Sequence, residues 1–287
     1  MVGTQIATSV DVLYDHSFTS QCIGESQLQT NATFAIVHAA GEGSCYVTVR
    51  QSVVYCPWLE VVAHVRSTIR ITARGYRRVY FSGTTTRYWD CCKPSCAWKE
   101  NVATATPVNS CSKDGKTKVQ PSVRSGCDSD GTSYVCNNLQ PWAVNNSLAY
   151  GFVAASFTGG IDNSKCCVCL KLTFTNALAG KTMIVQNVNT GGDLGSNHFD
   201  IQIPGGGVGI FTRGCSTQWN APQSGWGQQY GGVSSDSQCS QLPKQLQAGC
   251  HFRFGWYQNA DNPNVKFEQV TCPKELTSRS GCANNKF

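Results

Sequence analysis

The stretch Asn189-Thr190-Gly191-Gly192-Asp193-Leu194-Gly195-Ser196-Asn197-His198-Phe199-Asp200-Ile201-Gln202-Ile203-Pro204-Gly205-Gly206-Gly207 decides how this chain reads. From His198 the residues alternate with period two. Phe199, Ile201 and Ile203 make an apolar face, and His198, Asp200 and Gln202 a polar one. That pattern is a half-buried β-strand whose carboxylate turns away from the packing. His198 reads as a hydrogen-bonded structural residue or as a support for Asp200 beside it. Ahead of the strand, Gly191, Gly192 and Gly195 make a pliable loop carrying Asp193, able to close over a bound chain. An Asp beside Gly is also an ordinary turn residue. Behind the strand, residues 204–207 predict a tight turn and not a phosphate cradle, because no helix with Lys-Ser/Thr follows.

A second informative stretch is Thr84-Thr85-Thr86-Arg87-Tyr88-Trp89-Asp90-Cys91-Cys92-Lys93-Pro94-Ser95-Cys96. Read as a strand, it sets Thr86, Tyr88 and Asp90 on one face and Arg87 and Trp89 on the other. Two adjacent cysteines follow Asp90. Bridged to distant chain, they would clamp the backbone that carries it, as a carboxylate activating water requires. Taken alone, Asp90 reads equally as a partner for Arg87 or as a turn cap. Two carboxylates on different strands are what glycosidic bond hydrolysis needs: one protonates the leaving oxygen, the other ionises to activate water or attack the sugar.

Residues 171–175, 181–188, 252–256 and 265–270 read as further short strands, and 242–248 as a short helix opened by Pro243. Short strands between Gly, Pro and Asn turns point to a closed β-barrel. The aromatics Tyr88, Trp98, Trp142, Trp219, Trp226 and Tyr230 fall on or near expected loops. Each could stack on a sugar ring or simply pack. Residues 216–227, with Trp219 and Trp226, read as a variable loop that adjusts a groove.

Composition supports the same class. With 28 Gly and only 14% charged residues among 287, the chain suits a loop-rich β protein better than a helical bundle. The formal charge of +6 is spread without a basic-aromatic stripe, so nucleic acid is not an expected partner. No apolar run approaches the roughly 18 residues of a membrane span, and no membrane partner is expected. The first residues lack the basic and apolar regions of a signal peptide.

Of the 17 Cys, three lie early, at Cys22, Cys45 and Cys56, and fourteen lie from Cys91 to Cys282. So many thiols point to disulfides formed in an oxidising compartment. The clusters Cys91-Cys92-x3-Cys96 and Cys166-Cys167-x-Cys169 lack zinc-knuckle spacing, so no metal and no cofactor is expected. No G-x-S-x-G elbow is present. Asn31-Ala32-Thr33 and Asn145-Asn146-Ser147 are glycosylation sequons.

Composition shifts near residue 82. Before it every basic residue is Arg, and Arg66, Arg70, Arg74 and Arg78 recur with the i+4 spacing of one helix face. Residues 1–82 therefore read as an extension of unknown nature: disordered, a small accessory module, or an upstream stretch joined to the gene. Residues 83–287 read as the catalytic domain.

The two stretches together resemble the family 45 glycoside hydrolases, small endoglucanases. Thr85-Thr86-Arg87-Tyr88-Trp89-Asp90 with Cys96 matches the family's signature around its catalytic base. Gly191-Gly192-Asp193-Leu194-Gly195-Ser196-Asn197-His198-Phe199-Asp200 matches the stretch holding its acid. Pro141-Trp142-Ala143-Val144-Asn145, residues 204–209 and Asn259-Ala260-Asp261-Asn262-Pro263 are similar to further landmarks. The resemblance runs from about Thr84 to Cys282.

The resemblance implies a mainly β protein, a six-stranded double-psi β-barrel with long disulfide-braced loops, a few short helices and an open groove. It implies an inverting endo-β-1,4-glucanase with Asp90 as general base, Asp200 as general acid and Asp193 as an accessory carboxylate. Thr86, Tyr88, Trp98 and His198 would contact substrate. The implied disulfides are Cys91–Cys215, Cys92–Cys127, Cys96–Cys166, Cys111–Cys136, Cys167–Cys282, Cys169–Cys272 and Cys239–Cys250. The expected partner is a β-1,4-glucan, and the expected state a secreted, extracellular monomer. The competing reading is a non-hydrolytic, expansin-like glucan-binding protein. Proteins of that kind keep the acid but lack the base, so Asp90 argues for hydrolysis.

Overall fold

The computed structural model describes the backbone of residues 26–30, 33–40, 44–50 and 66–72, and all atoms of 80–102 and 106–284. The chain divides into two compact units, Met1–Arg78 and Val79–Phe287. The second unit thus begins a few residues before the composition shift at 82.

The first unit contains an antiparallel sheet of Ser26–Thr30, Thr33–Ala40, Ser44–Arg50 and Arg66–Thr72, in that order. This corrects the helical reading of the arginine repeat. Arg66 and Arg70 sit on a strand, where β-branched Thr68, Ile69, Ile71 and Thr72 favour extended backbone. Arg74, Arg78 and the sequon at Asn31 lie outside the described residues.

In the second unit six strands close a double-psi barrel: β1 (Phe81–Tyr88), β2 (Leu148–Ser156), β3 (Cys169–Phe174), β4 (Thr182–Thr190), β5 (His198–Gln202) and β6 (Asn264–Val270). Hydrogen bonding runs β4–β3–β6–β1–β5–β2, and β2 pairs back onto β4. The β1–β5 and β2–β4 pairs are parallel. The other pairs are antiparallel. Closure leaves no barrel strand at an open edge.

The alternation read from the sequence places its apolar set inside. Phe199, Ile201 and Ile203 are fully buried, with Val153, Leu172 and Met183 in the same barrel core. Phe199 packs edge-on against Phe267, with centroids 4.7 Å apart. A second core is built around sulfur, where Cys91, Cys96, Cys166, Cys167 and Cys215 pack with Trp89, Leu139 and Val188.

The fourteen later cysteines form seven disulfides: Cys91–Cys215, Cys92–Cys127, Cys96–Cys166, Cys111–Cys136, Cys167–Cys282, Cys169–Cys272 and Cys239–Cys250. No helix among the described residues is long and apolar enough to cross a membrane.

The helices are α1 (Arg213–Trp219), α2 (Lys244–Phe254) and α3 (Lys274–Ser280). Helix α2 overturns one expectation, because it takes in most of the strand-like stretch 252–256. The alternation Phe252-Arg253-Phe254 mimics period two. Leu246, Gly249, Cys250 and Arg253, buried together with Phe252, follow helical spacing instead, and the Cys239–Cys250 bridge holds that face inward.

Candidate active site

Strands β1 and β5 run parallel, with Thr86 opposite Asp200 and Thr84 opposite His198. This register brings three polar side chains together. Thr86 Oγ1 donates to Asp200 Oδ1 at 2.6 Å and lies 2.9 Å from His198 Nε2. Thr86 has one proton, and it is committed to the carboxylate. His198 must then donate through Nε2–H, which fixes its tautomer. Burial lowers the His198 pKa, consistent with a neutral ring.

Asp90 is held differently. It lies two residues past the end of β1, where Trp89 N–H donates to Gly207 O (2.8 Å) and Tyr88 O accepts from Ile203 N–H (2.9 Å). Asp90 Oδ1 accepts from Cys92 N–H at 2.9 Å. The turn-cap reading is therefore right for one of its oxygens. The Arg87 reading is not, because Arg87 Nη1 pairs with Asp261 Oδ1 at 3.1 Å.

Cys91 adopts a left-handed φ of 64°, unusual for a residue with a Cβ, and its bridge to Cys215 ties this turn to α1. Helix α1 comes so close that a Cβ on Gly214 would overlap the Asp90 carbonyl oxygen. Only glycine fits there.

Burial pushes the Asp90 pKa up to about 6, against the hydrogen bond from Cys92; the Asp193 charge adds to the rise. Burial likewise pushes Asp200 up to about 7, with Asp90 and Asp193 raising it further and the Thr86 bond and Arg87 opposing. Asp90 and Asp200 both respond to the Asp193 charge, and Asp200 also to that of Asp90. Tyr88 is buried beside them. Its hydroxyl oxygen accepts from Asn189 Nδ2 (3.0 Å) and Gln202 Nε2 (2.9 Å), and burial and Asp90 raise its pKa well above the usual value.

A cleft of about 650 Å³ opens over this group, walled by Thr86, Tyr88, His198 and Asp200, by the exposed loop carrying Asp193 and Leu194, and by Tyr230 and Arg253. Asp90 lies behind that wall, 7% exposed.

Of the six aromatics marked in the sequence, Tyr88 and Tyr230 line this cleft, and the four tryptophans make other contacts. Trp98 sits under the Lys93 ammonium, 3.1 Å from its ring centroid. Trp142 is covered by Arg279 and meets Tyr150 edge-on. Trp219 and Trp226 line a separate cavity. Residues 216–219 of the expected loop belong to α1, and Trp226 is buried.

Sequence reasoning missed Asn189 and Gln202 as the clamps on Tyr88, and Arg253 as a cleft-wall residue. Gln202 could have been found, since it shares the polar face of Asp200. Among the described residues, Asp236, Cys239 and His251 bring three ligand-type atoms together, but Cys239 is bridged to Cys250 and offers no thiolate.

A disulfide-braced β-barrel with buried, pKa-raised carboxyls beside an open cleft fits the class of glycoside hydrolases. The family model for glycosyl hydrolase family 45 matches residues 82–283, and the chain belongs to that family. It is 56% identical over 202 residues to an endoglucanase of Cryptopygus antarcticus, covering 70% of this chain and 88% of the relative. It is 58% identical over 203 residues to an endoglucanase of Phaedon cochleariae, covering 70% and 84%. The crystal structure of the cellulase from the Antarctic springtail Cryptopygus antarcticus superposes with a TM-score of 0.69 at 54% identity, over 72% of this chain and 99% of that one.

Proposed function

We propose that this protein cuts β-1,4-glucan chains internally, with inversion at the anomeric carbon, Asp200 acting as general acid and Asp90 as general base. The observation that carries this reading is the placement of two carboxyl groups that burial raises together. Asp200 stands in the cleft wall with one oxygen held by Thr86, as a proton donor must, and Asp90 is fixed on a separate turn by Cys92 N–H, as a base that orients water must be.

In the productive state Asp200 protonates the glycosidic oxygen as the bond to the anomeric carbon breaks. The Thr86 hydrogen bond occupies Oδ1, leaving Oδ2 as the oxygen for that proton. Asp90 takes a proton from water as the water oxygen attacks the opposite face of the sugar. Both carboxyl groups end the cycle in the reversed state and reset by exchange with solvent. Asp193, on its exposed loop, adds negative charge near the positive transition state and helps keep Asp200 protonated. The substrate class is that of the related endoglucanases and of the springtail cellulase. The cystine framework fits an extracellular medium, where a monomer would meet the polymer.

The test is replacement of each carboxylate by its amide. Asp90→Asn and Asp200→Asn should each lower kcat on soluble β-1,4-glucan roughly 100- to 10,000-fold with the fold retained. The first product anomer seen by proton NMR should be α. Near-normal turnover in either variant would overturn the assignment, and a β product would overturn inversion. Binding without release of reducing ends in the unaltered protein would favour the expansin-like alternative.

A further inference from the structure

The Trp219 and Trp226 side chains do not join the cleft; they line a second cavity of about 510 Å³, within the usual size of small-molecule sites. Asn220, Pro222, Gln241 and Pro243 complete most of its wall. Among the described residues no charged side chain borders it, so an ionic ligand would find no counter-charge there. Trp219 Nε1 is shut away from solvent without a protein partner, so whatever ring surface this half-buried side chain exposes is carbon. Flat carbon surfaces with two amide side chains at hand suit a neutral polyol. Its C–H faces pack on rings while its hydroxyls exchange hydrogen bonds with amides.

Position narrows the ligand further. Gly225, Trp226 and Gly227 face this cavity, and residues 228–234 face the catalytic cleft, so one stretch of chain is the partition between the two. The partition is pinned. Gln228 and Gly232 exchange backbone hydrogen bonds of 3.0 and 2.9 Å, and Arg253 Nη1 donates to Gly231 O (2.9 Å) and Val233 O (2.6 Å). The two sites therefore share one wall of chain.

We propose that the Trp219–Trp226 cavity is a second binding site for β-glucan, holding a short run of glucosyl units outside the catalytic cleft. The inference rests on the reading of the cleft as a glucan site. It gives the enzyme a hold on insoluble polymer that turnover of a short soluble substrate does not require.

The experiment titrates the full chain, isotopically labelled, with a soluble β-1,4-gluco-oligosaccharide and follows the indole N–H signals of Trp219 and Trp226 beside the imidazole of His198. All three should move. Gln241→Ala removes an exposed amide; it should weaken the indole response roughly five-fold, leaving the His198 response and kcat on the short substrate unchanged. Adsorption of that variant to insoluble cellulose should fall in step. Movement of His198 with silent indoles would overturn this site while leaving the cleft reading intact. Indole shifts insensitive to Gln241→Ala would mean transmission through the partition and would also overturn it. Silence of all three would sink the cleft reading and this proposal with it.

Discussion

The two carboxylates of the site are held by opposite kinds of structure. Asp200 sits inside a regular strand, and its partners Thr86 and His198 arrive through the parallel register of β1 and β5. Asp90 sits just past a strand end, on a turn held by a disulfide, a left-handed Cys91 and the close approach of Gly214. A hydrogen-bond ladder places a side chain through many weak, repeated contacts. A cystine-pinned turn places it through a few covalent and steric ones. The contrast implies that Asp90, the proposed base, is the more fragile half, since one altered bond can move it without disturbing the barrel.

Removing the Cys91–Cys215 bridge is the strongest way to break this contrast. The double variant Cys91→Ala, Cys215→Ala should lose about 2–5 kcal/mol of stability. It should also lose roughly 100-fold in kcat, the cost of displacing a catalytic group by about an ångström. The imidazole titration of His198 should stay where it was, because the Thr86–Asp200 pair hangs on the strand ladder. The Cys239–Cys250 bridge closes only a short loop, with a sequence separation of 11, and its removal should leave kcat largely intact. Equal kinetic losses from both double variants would remove the distinction.

The same contrast explains what the sequence could disclose. The strand of Asp200 was legible because burial of Phe199, Ile201 and Ile203 imprints a period on the residues themselves. The barrel class followed from several such imprints, and the proposed site residues rest on the resemblance that two motifs carry. Asp90 left no such mark, since a disulfide partner more than a hundred residues away has no local signature. The tryptophans were ambiguous for a related reason. Aromatic character is common to core and groove, and only packing reveals that Trp98 lies under Lys93 and Trp142 under Arg279. Helix α2 was obscured because its buried face carries Gly249, Cys250 and Arg253 rather than a run of aliphatic residues.

The turn that holds Asp90 should cost stability as well as confer activity. Its folded pKa of about 6 lies above the ordinary 3.8, so the folded state keeps this proton to higher pH than the unfolded chain does. The sign follows: stability falls as pH rises through the window from about 4 to 6, and the penalty is complete above it. Asp90→Asn keeps an acceptor for Cys92 N–H and removes the charge. It should therefore be more stable than the parent by up to about 3 kcal/mol at pH 8 and no more stable at pH 3.5. Thermal unfolding at the two pH values checks this. A gain independent of pH would show that the buried charge is not its source.

The smallest effect tests the ladder side. Thr86 Oγ1 donates to Asp200 and thereby opposes the rise in its pKa. Thr86→Val keeps the shape but removes the donor, and leaves His198 Nε2–H without its acceptor. Loss of one hydrogen bond to a charged group should reduce kcat/KM roughly ten-fold. The direction of the pH profile is more telling than the size. Without the donor the Asp200 pKa moves upward, so the alkaline limb, which reports ionisation of the acid, should shift to higher pH. The acid limb, set by Asp90 on its separate turn, should stay fixed. A profile that moves at both limbs would mean that the two carboxyl groups are positioned as one unit after all. A profile that moves at neither would mean that Thr86 holds the strand and not the proton.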